Sequence, residues 1–231
     1  MCFTRSVIFL FLWFIWTFSW GIICSPFLVL KSGHKILLNI GKIWASVTLY
    51  LLNKICNIHF KVIGKTPNAS FIAAVKHQSA WETIFLLYYF KNPVFIIKKE
   101  LTRIPIYGWY LKKMSMIAID RSNGMNALKQ IKSGVQSAIE QNRPIIIFPE
   151  GTRTKPNERI PYKSGIRFLY DNFSIKVPII PIALNSGKYW INKSILKKSG
   201  TIIVKILFPI QQSENFLENL QNIIDSESER L

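Results

Sequence analysis

His77 and Glu82 stand five residues apart in the string Lys76-His77-Gln78-Ser79-Ala80-Trp81-Glu82. A carboxylate at that spacing can bind one ring nitrogen and fix the tautomer, leaving the other nitrogen free to take a proton from a hydroxyl. Glu82 fits a second role as well, because Ser79-x-x-Glu82 reads as a capping box closing the first turn of a helix. A strand-end histidine satisfied by backbone is the corresponding bland reading of His77. A second string, Phe148-Pro149-Glu150-Gly151-Thr152-Arg153, presents a carboxylate, a flexible turn, a hydroxyl and a guanidinium in succession. Arg153 can grip a phosphate through two parallel hydrogen bonds, and Gly151 lets the backbone approach an anion closely. Its bland reading is a strand-ending turn with solvated charges. Taken for their chemistry, the two strings suit acid–base work on an anionic, hydroxyl-bearing ligand.

Both strings must be delivered by strands. Residues 71–75 and 145–147 are apolar runs directly upstream of them, and Pro149 with Gly151 stops the second run abruptly. The first string leads instead into a helical pattern through Trp81, Phe85, Tyr88 and Tyr89. Period and punctuation predict strands at 60–63, 71–75, 94–97, 116–119, 145–148, 179–184 and 202–207. Helices are predicted at 80–90, 107–113, 124–141, 164–172 and near 214–226. Such alternation indicates an α/β domain with a largely parallel sheet and flanking helices. Ligands of these sheets bind beyond the carboxyl ends of strands, where His77 and Glu150 would both lie. No glycine-rich dinucleotide or P-loop string is present, so neither hydride transfer nor nucleotide hydrolysis is supported.

In this order the strings resemble the 1-acylglycerol-3-phosphate acyltransferase family of glycerolipid acyltransferases, whose motifs form four blocks. The first, His-x4-Asp, corresponds to His77 through Glu82. The second is Lys98-Lys99-Glu100-Leu101-Thr102-Arg103-Ile104-Pro105-Ile106-Tyr107-Gly108, closing with Ile119-Asp120-Arg121. The third is Phe148 through Arg153, and the fourth is Val177-Pro178-Ile179-Ile180-Pro181-Ile182-Ala183. The resemblance covers residues 59–208. It implies transfer of a fatty acyl group from an acyl carrier protein or coenzyme A thioester to the 2-hydroxyl of lysophosphatidic acid, giving phosphatidic acid. His77 would be the general base and Glu82 its orienter. Lys98, Arg121, Glu150, Gly151, Thr152 and Arg153 would form the substrate-binding set. Lys98 matches the family's recurrent lysine better than Lys99, and Arg121 is a further cation that a salt bridge with Asp120 would otherwise occupy. Glu150 would accept from a glycerol hydroxyl or hold Arg153. The fourth block would line an acyl groove or form a plain core strand. No metal and no cofactor beyond the thioester co-substrate is implied. The family's first block normally ends in Asp; Glu82 is one methylene longer, so its contact with His77 needs a different backbone or rotamer.

The chain of 231 residues carries 30 Lys and Arg against 12 Asp and Glu, a net charge of +18. That balance implies an anionic partner: nucleic acid, lipid headgroups or an acidic carrier protein. No helix-turn-helix, zinc or aromatic RNA-binding string accompanies the charge, which is spread along the chain and so disfavours nucleic acid. Cys2, Cys24 and Cys56 lack metal-ligand spacing and read as apolar fillers. Residues 7–30 form an apolar stretch long enough to cross a bilayer. It exceeds a usual signal-peptide core and lacks a clear small-x-small cleavage site. Residues 36–52 follow a helical period through Ile36, Ile40, Ile43, Val47 and Leu51 but contain Lys42. That segment suits an interfacial or re-entrant helix, or one packed on the catalytic domain. The expected organisation is a membrane anchor at 1–56 and a catalytic domain at 57–231. The protein would sit at a membrane, the cell inner membrane, with that domain facing the cytoplasm. Two other readings remain: the same fold acting on another lysolipid headgroup, and a catalytically weak, membrane-associated lipid-binding protein.

Overall fold

The computed structural model describes residues 2–29, 34–120 and 124–231. Three helices come first: α1 (Cys2–Ile23), the single turn α2 (Pro26–Val29) and α3 (His34–Cys56). Strands and helices then alternate: β1 (Ile58–Ile63), β2 (Ile72–Val75), α4 (Trp81–Tyr89), β3 (Val94–Lys98), α5 (Tyr107–Lys113), β4 (Ile117–Ile119) and α6 (Gly124–Glu140). They continue as β5 (Ile145–Ile147), α7 (Ser164–Phe173), β6 (Ile179–Leu184), β7 (Gly200–Ile206) and α8 (Phe216–Glu229). Each predicted strand is present within two residues of its predicted bounds.

The strands form one seven-stranded sheet in the order β1-β7-β6-β2-β5-β3-β4. From β6 to β4 all neighbours are parallel; β7 runs antiparallel to β6, and β1 pairs parallel with β7. The central strands β2, β5 and β6 are buried at every residue. Parallel strands covered on both faces need such continuous apolar runs. Alternate residues divide between two layers. Ala73, Val75, Ile146, Ile180 and Ile182 join the helices α1, α3 and α4. Ile72, Ala74, Ile145, Ile147 and Ile179 pack beneath α6, α7 and α8.

The first of these cores runs through residue 56 without a break. Ala45, Leu49, Leu52 and Cys56, spaced along one face of α3, share it with the sheet, and so does the fully buried Phe9 of α1. Ile36 and Ile43 from the predicted stripe point outward instead, as does Tyr50. Ile40 and Leu51 from the same stripe are partly buried against the protein, so the 36–51 periodicity straddles the boundary between the packed and outer faces of the helix. Tryptophan indoles fasten α1 to α3: Trp16 and Trp20 donate to the carbonyls of Trp44 and Ile40, and Trp44 donates to Thr17. Phe3, Phe11, Phe14 and Phe18 remain exposed on the opposite face of α1. Both α1 and α3 are long and apolar enough to cross a membrane.

Candidate active site

Because β6, β2, β5 and β3 are neighbours running the same way, the segments leaving them meet at one edge. His77 follows β2, the 148–153 string follows β5, Lys98 ends β3 and Ser186 follows β6. This convergence is what the sheet does for the site.

His77 is held on three sides. Its backbone N–H donates to Glu150 Oε2 at 2.8 Å, and its carbonyl accepts from the Thr154 N–H and hydroxyl at 2.8 and 3.1 Å. The imidazole stacks on Phe148, with centroids 3.9 Å apart and planes 20° from parallel. Ring Nδ1 is buried without a hydrogen-bond partner and lies 3.8 Å from Glu82 Oε2. Burial, followed by the charges of Arg153 and Lys98, lowers the imidazole pKa to about 3. The ring is therefore neutral near pH 7, the form a general base requires, and its approach to Glu82 is not an ion pair in the resting protein.

Glu82 has no exposed surface. Its Oε1 accepts from the backbone N–H groups of Gln78 and Ser79 at 2.8 and 2.9 Å and from the Ser186 hydroxyl. Its Oε2 lies 3.0 Å from the Ser79 N–H and 3.1 Å from the Ser79 hydroxyl. Burial raises its pKa to about 6, against the pull of the Ser186 and backbone hydrogen bonds. Only half of the predicted capping box is formed: Glu82 accepts from the Ser79 amide while lying beside His77, but the cap residue is Ala80 and Ser79 Oγ accepts from the Trp81 N–H. The extra methylene of Glu is absorbed by folding the side chain back onto the Gln78–Ser79 amides.

Glu150 lies behind His77, not beside Arg153. It is fully buried and accepts from Lys76 Nζ, the His77 N–H and the Thr154 hydroxyl. The physical reason is Lys76: its buried ammonium, immediately before His77, outcompetes an exposed guanidinium for the carboxylate. Gly151 turns the chain with φ of 70°, a left-handed conformation natural to glycine, so Thr152 and Arg153 emerge into solvent. Lys98 is exposed at the end of β3, and its charge and that of Arg153 both reach His77. Neither forms an ion pair among the described residues, whereas Lys99 is bonded to Asp120 at 3.2 Å. Arg121 lies outside the described residues. The fourth block leads into and forms most of β6, which is buried throughout and shared between the two cores.

Sequence reasoning passed over Ser186, Thr154, the ring of Phe148 and Tyr107. Tyr107 is 46% exposed, yet partial desolvation of its phenol raises the pKa and the charge of Arg153 pulls it back. Thr154 directly follows the third string and Ser186 closely follows the fourth block, but no local pattern says which residue each will meet.

A neutral histidine lies beside a buried carboxylate, with two exposed cations that form no ion pair among the described residues. A family profile described as Acyltransferase matches residues 57–185, more than half of the chain. The chain belongs to this acyltransferase family and is an O-acyltransferase. The 1-acyl-sn-glycerol-3-phosphate acyltransferase of Pseudomonas aeruginosa is 32% identical over 207 residues, covering 87% of this chain and 79% of that protein. The enzyme of the same name from Helicobacter pylori is 30% identical over 175 residues, 74% of this chain and 73% of its own. The crystal structure of a 1-acyl-sn-glycerophosphate acyltransferase, PlsC, from Thermotoga maritima shares the fold. Its TM-score is 0.78 at 18% identity, over 100% of this chain and 97% of that one.

Proposed function

We propose that this protein transfers a fatty acyl group from a thioester, of acyl carrier protein or coenzyme A, to the 2-hydroxyl of lysophosphatidic acid. The observation that carries the reading is the pair of exposed cations, Lys98 and Arg153, which form no ion pair among the described residues and whose charge reaches the neutral His77. The names of the relatives point the same way. His77 takes the hydroxyl proton as that oxygen attacks the thioester carbonyl. The tetrahedral intermediate then collapses: the C–O bond stays, the C–S bond breaks, and the proton passes from the imidazolium to the departing thiolate. Glu82, 3.8 Å from Nδ1, stabilises the imidazolium while it lasts, and the gap closes when the ring becomes charged. Lys98 and Arg153 hold the phosphate, and no covalent acyl-enzyme is required. The outward apolar face of α1, with the exposed Ile104 and Trp109 near the second block, would seat the site at a lipid surface where its substrate resides.

The test is purified protein assayed with lysophosphatidic acid and other lysolipids, with both thioester donors, and products identified by mass. His77→Ala should lose turnover by about 10²–10⁴-fold, the value of general-base assistance. Arg153→Lys should raise the Michaelis constant for lysophosphatidic acid about ten- to hundred-fold, because a bidentate charge-assisted contact is replaced by a point charge. The constant for the donor should stay within about twofold. A selective rise for the donor would place the thioester on the 148–153 string, and equal rates on neutral-headgroup lysolipids would defeat the phosphate assignment.

A further inference from the structure

Helix α8 lies beyond the segment matched by the family profile, yet the chain from it onward is bonded both to the segment that carries the His77–Glu82 pair and to the end of β6, whose next loop contacts Glu82. The first anchorage is ionic. Asp225 of α8 accepts from Lys76 Nζ through Oδ1 at 2.9 Å, and Lys76 also bonds Glu150, all three being buried. Glu150 in turn receives the His77 backbone N–H. Gln221 Nε2 and Arg159 Nε lie 3.3 and 3.8 Å from Asp225 Oδ2, so two cations face two carboxylates. The second anchorage is neutral. Ser228 Oγ accepts from the Leu184 N–H at 3.3 Å, and the Leu231 carbonyl accepts from Asn185 Nδ2 at 3.0 Å. The next residue, Ser186, donates to Glu82, and the Gly187 N–H donates to Gln78 Oε1 at 3.0 Å beside His77.

We propose that α8 is a positioning element for the reaction. Through Asp225, Lys76 and Glu150 it places His77, and through Ser228 and residues 184–186 it places Glu82, so it sets the separation of the pair. The inference rests on His77 as base. Lys76, Asp225 and Ser228 touch no substrate; they act on groups that do. A displacement of about 1 Å at such a pair can reduce turnover about 10²-fold. Lys76 is the vulnerable member, since its removal leaves two buried carboxylates without their nearest cation.

The experiment measures kcat and Michaelis constants for Lys76→Met, Asp225→Asn, the double variant and Ser228→Ala, each well below its own Tm. Lysophosphatidic acid is the acceptor, with coenzyme A and carrier-protein thioesters in separate arms. Lys76→Met should lower kcat about 10- to 100-fold with the acceptor's Michaelis constant within about twofold. Asp225→Asn keeps an acceptor oxygen and should lower kcat less, about 3- to 10-fold, and Ser228→Ala should fall in the same direction. The double variant should be no slower than Lys76→Met, because both changes act along one path. Unchanged kcat with only a lowered Tm overturns the proposal, as does a double-variant loss equal to the product of the single losses. Should Lys76→Met fail to fold, the same split in Asp225→Asn and Ser228→Ala decides. Full kcat in the α8 variants, with wild type active and His77→Ala inactive, defeats this inference alone. A wild type inactive on lysophosphatidic acid defeats it together with the proposed function.

Discussion

At the scale of single residues, the site depends on two side chains whose burial moves them in opposite useful directions. His77 is kept neutral down to about pH 3, so acidification from neutrality first reaches Glu82, whose pKa is about 6. Protonated Glu82 has no charge with which to stabilise an imidazolium. The kcat/KM profile should therefore fall below about pH 6, and Glu82→Gln should both lower the plateau by more than about tenfold and abolish that limb. A limb surviving unchanged in Glu82→Gln would assign it to another group. The same shift has a stability consequence of definite sign. A carboxyl whose pKa is raised from 4.5 to about 6 contributes most below 4.5 and loses that contribution as pH rises through 6. The Tm of wild type relative to Glu82→Gln should accordingly decrease across that window.

At the scale of elements, the position of Lys98 at the end of β3 is set by a tight approach between two turns. The second block runs through a 3₁₀ turn, Lys99–Arg103, and returns into α5 at Gly108. A Cβ on Gly108 would come within 2.4 Å of the Thr102 carbonyl oxygen, a backbone atom that cannot step aside alone. Gly108→Ala must push the whole 99–103 turn, and with it the end of β3 that carries Lys98. Stability should fall by about 1–3 kcal/mol, read from urea unfolding, as for other overpacked sites. The Michaelis constant for lysophosphatidic acid should rise in the same variant. An unchanged constant would separate this turn from substrate binding.

For the molecule as a whole, the two N-terminal helices differ in what they are attached to. Phe9, Trp13 and Trp190 form an aromatic cluster that seats α1 on the domain, but most of α1 faces outward. α3 is part of the core, contributing Ala45, Leu49, Leu52 and Cys56 to the cluster that includes Val75, Phe85 and Ile182. Losing one buried leucine side chain typically costs about 2–5 kcal/mol, against a total domain stability of about 5–15 kcal/mol. Removal of residues 1–56 should therefore abolish cooperative unfolding and give aggregated protein. Removal of residues 1–23 should leave a folded protein that needs detergent and binds vesicles less well. A monomeric, cooperatively unfolding 57–231 fragment would show α3 to be dispensable to the core.

Local chemistry makes much of this protein legible in its sequence. Strand period, proline and glycine stops and the helical pattern after Ser79 placed every strand and put His77 and the 148–153 string at strand ends. Those signals are contained within a few residues, and side-chain period reports directly on burial. The partners were not readable. Glu150 carries the same local sequence whether it faces Arg153 or Lys76, and only the pairing of β2 with β5 sets it beneath His77. Ser186 reaches Glu82 because β6 lies beside β2, and Asp225 reaches Lys76 because α8 packs beneath the sheet. The helical period of α3 was visible in the sequence, while the residues of it that meet the protein were set only by the sheet it covers. Such contacts join residues far apart in the chain, and strand order and layer packing select them, so no local pattern carries them.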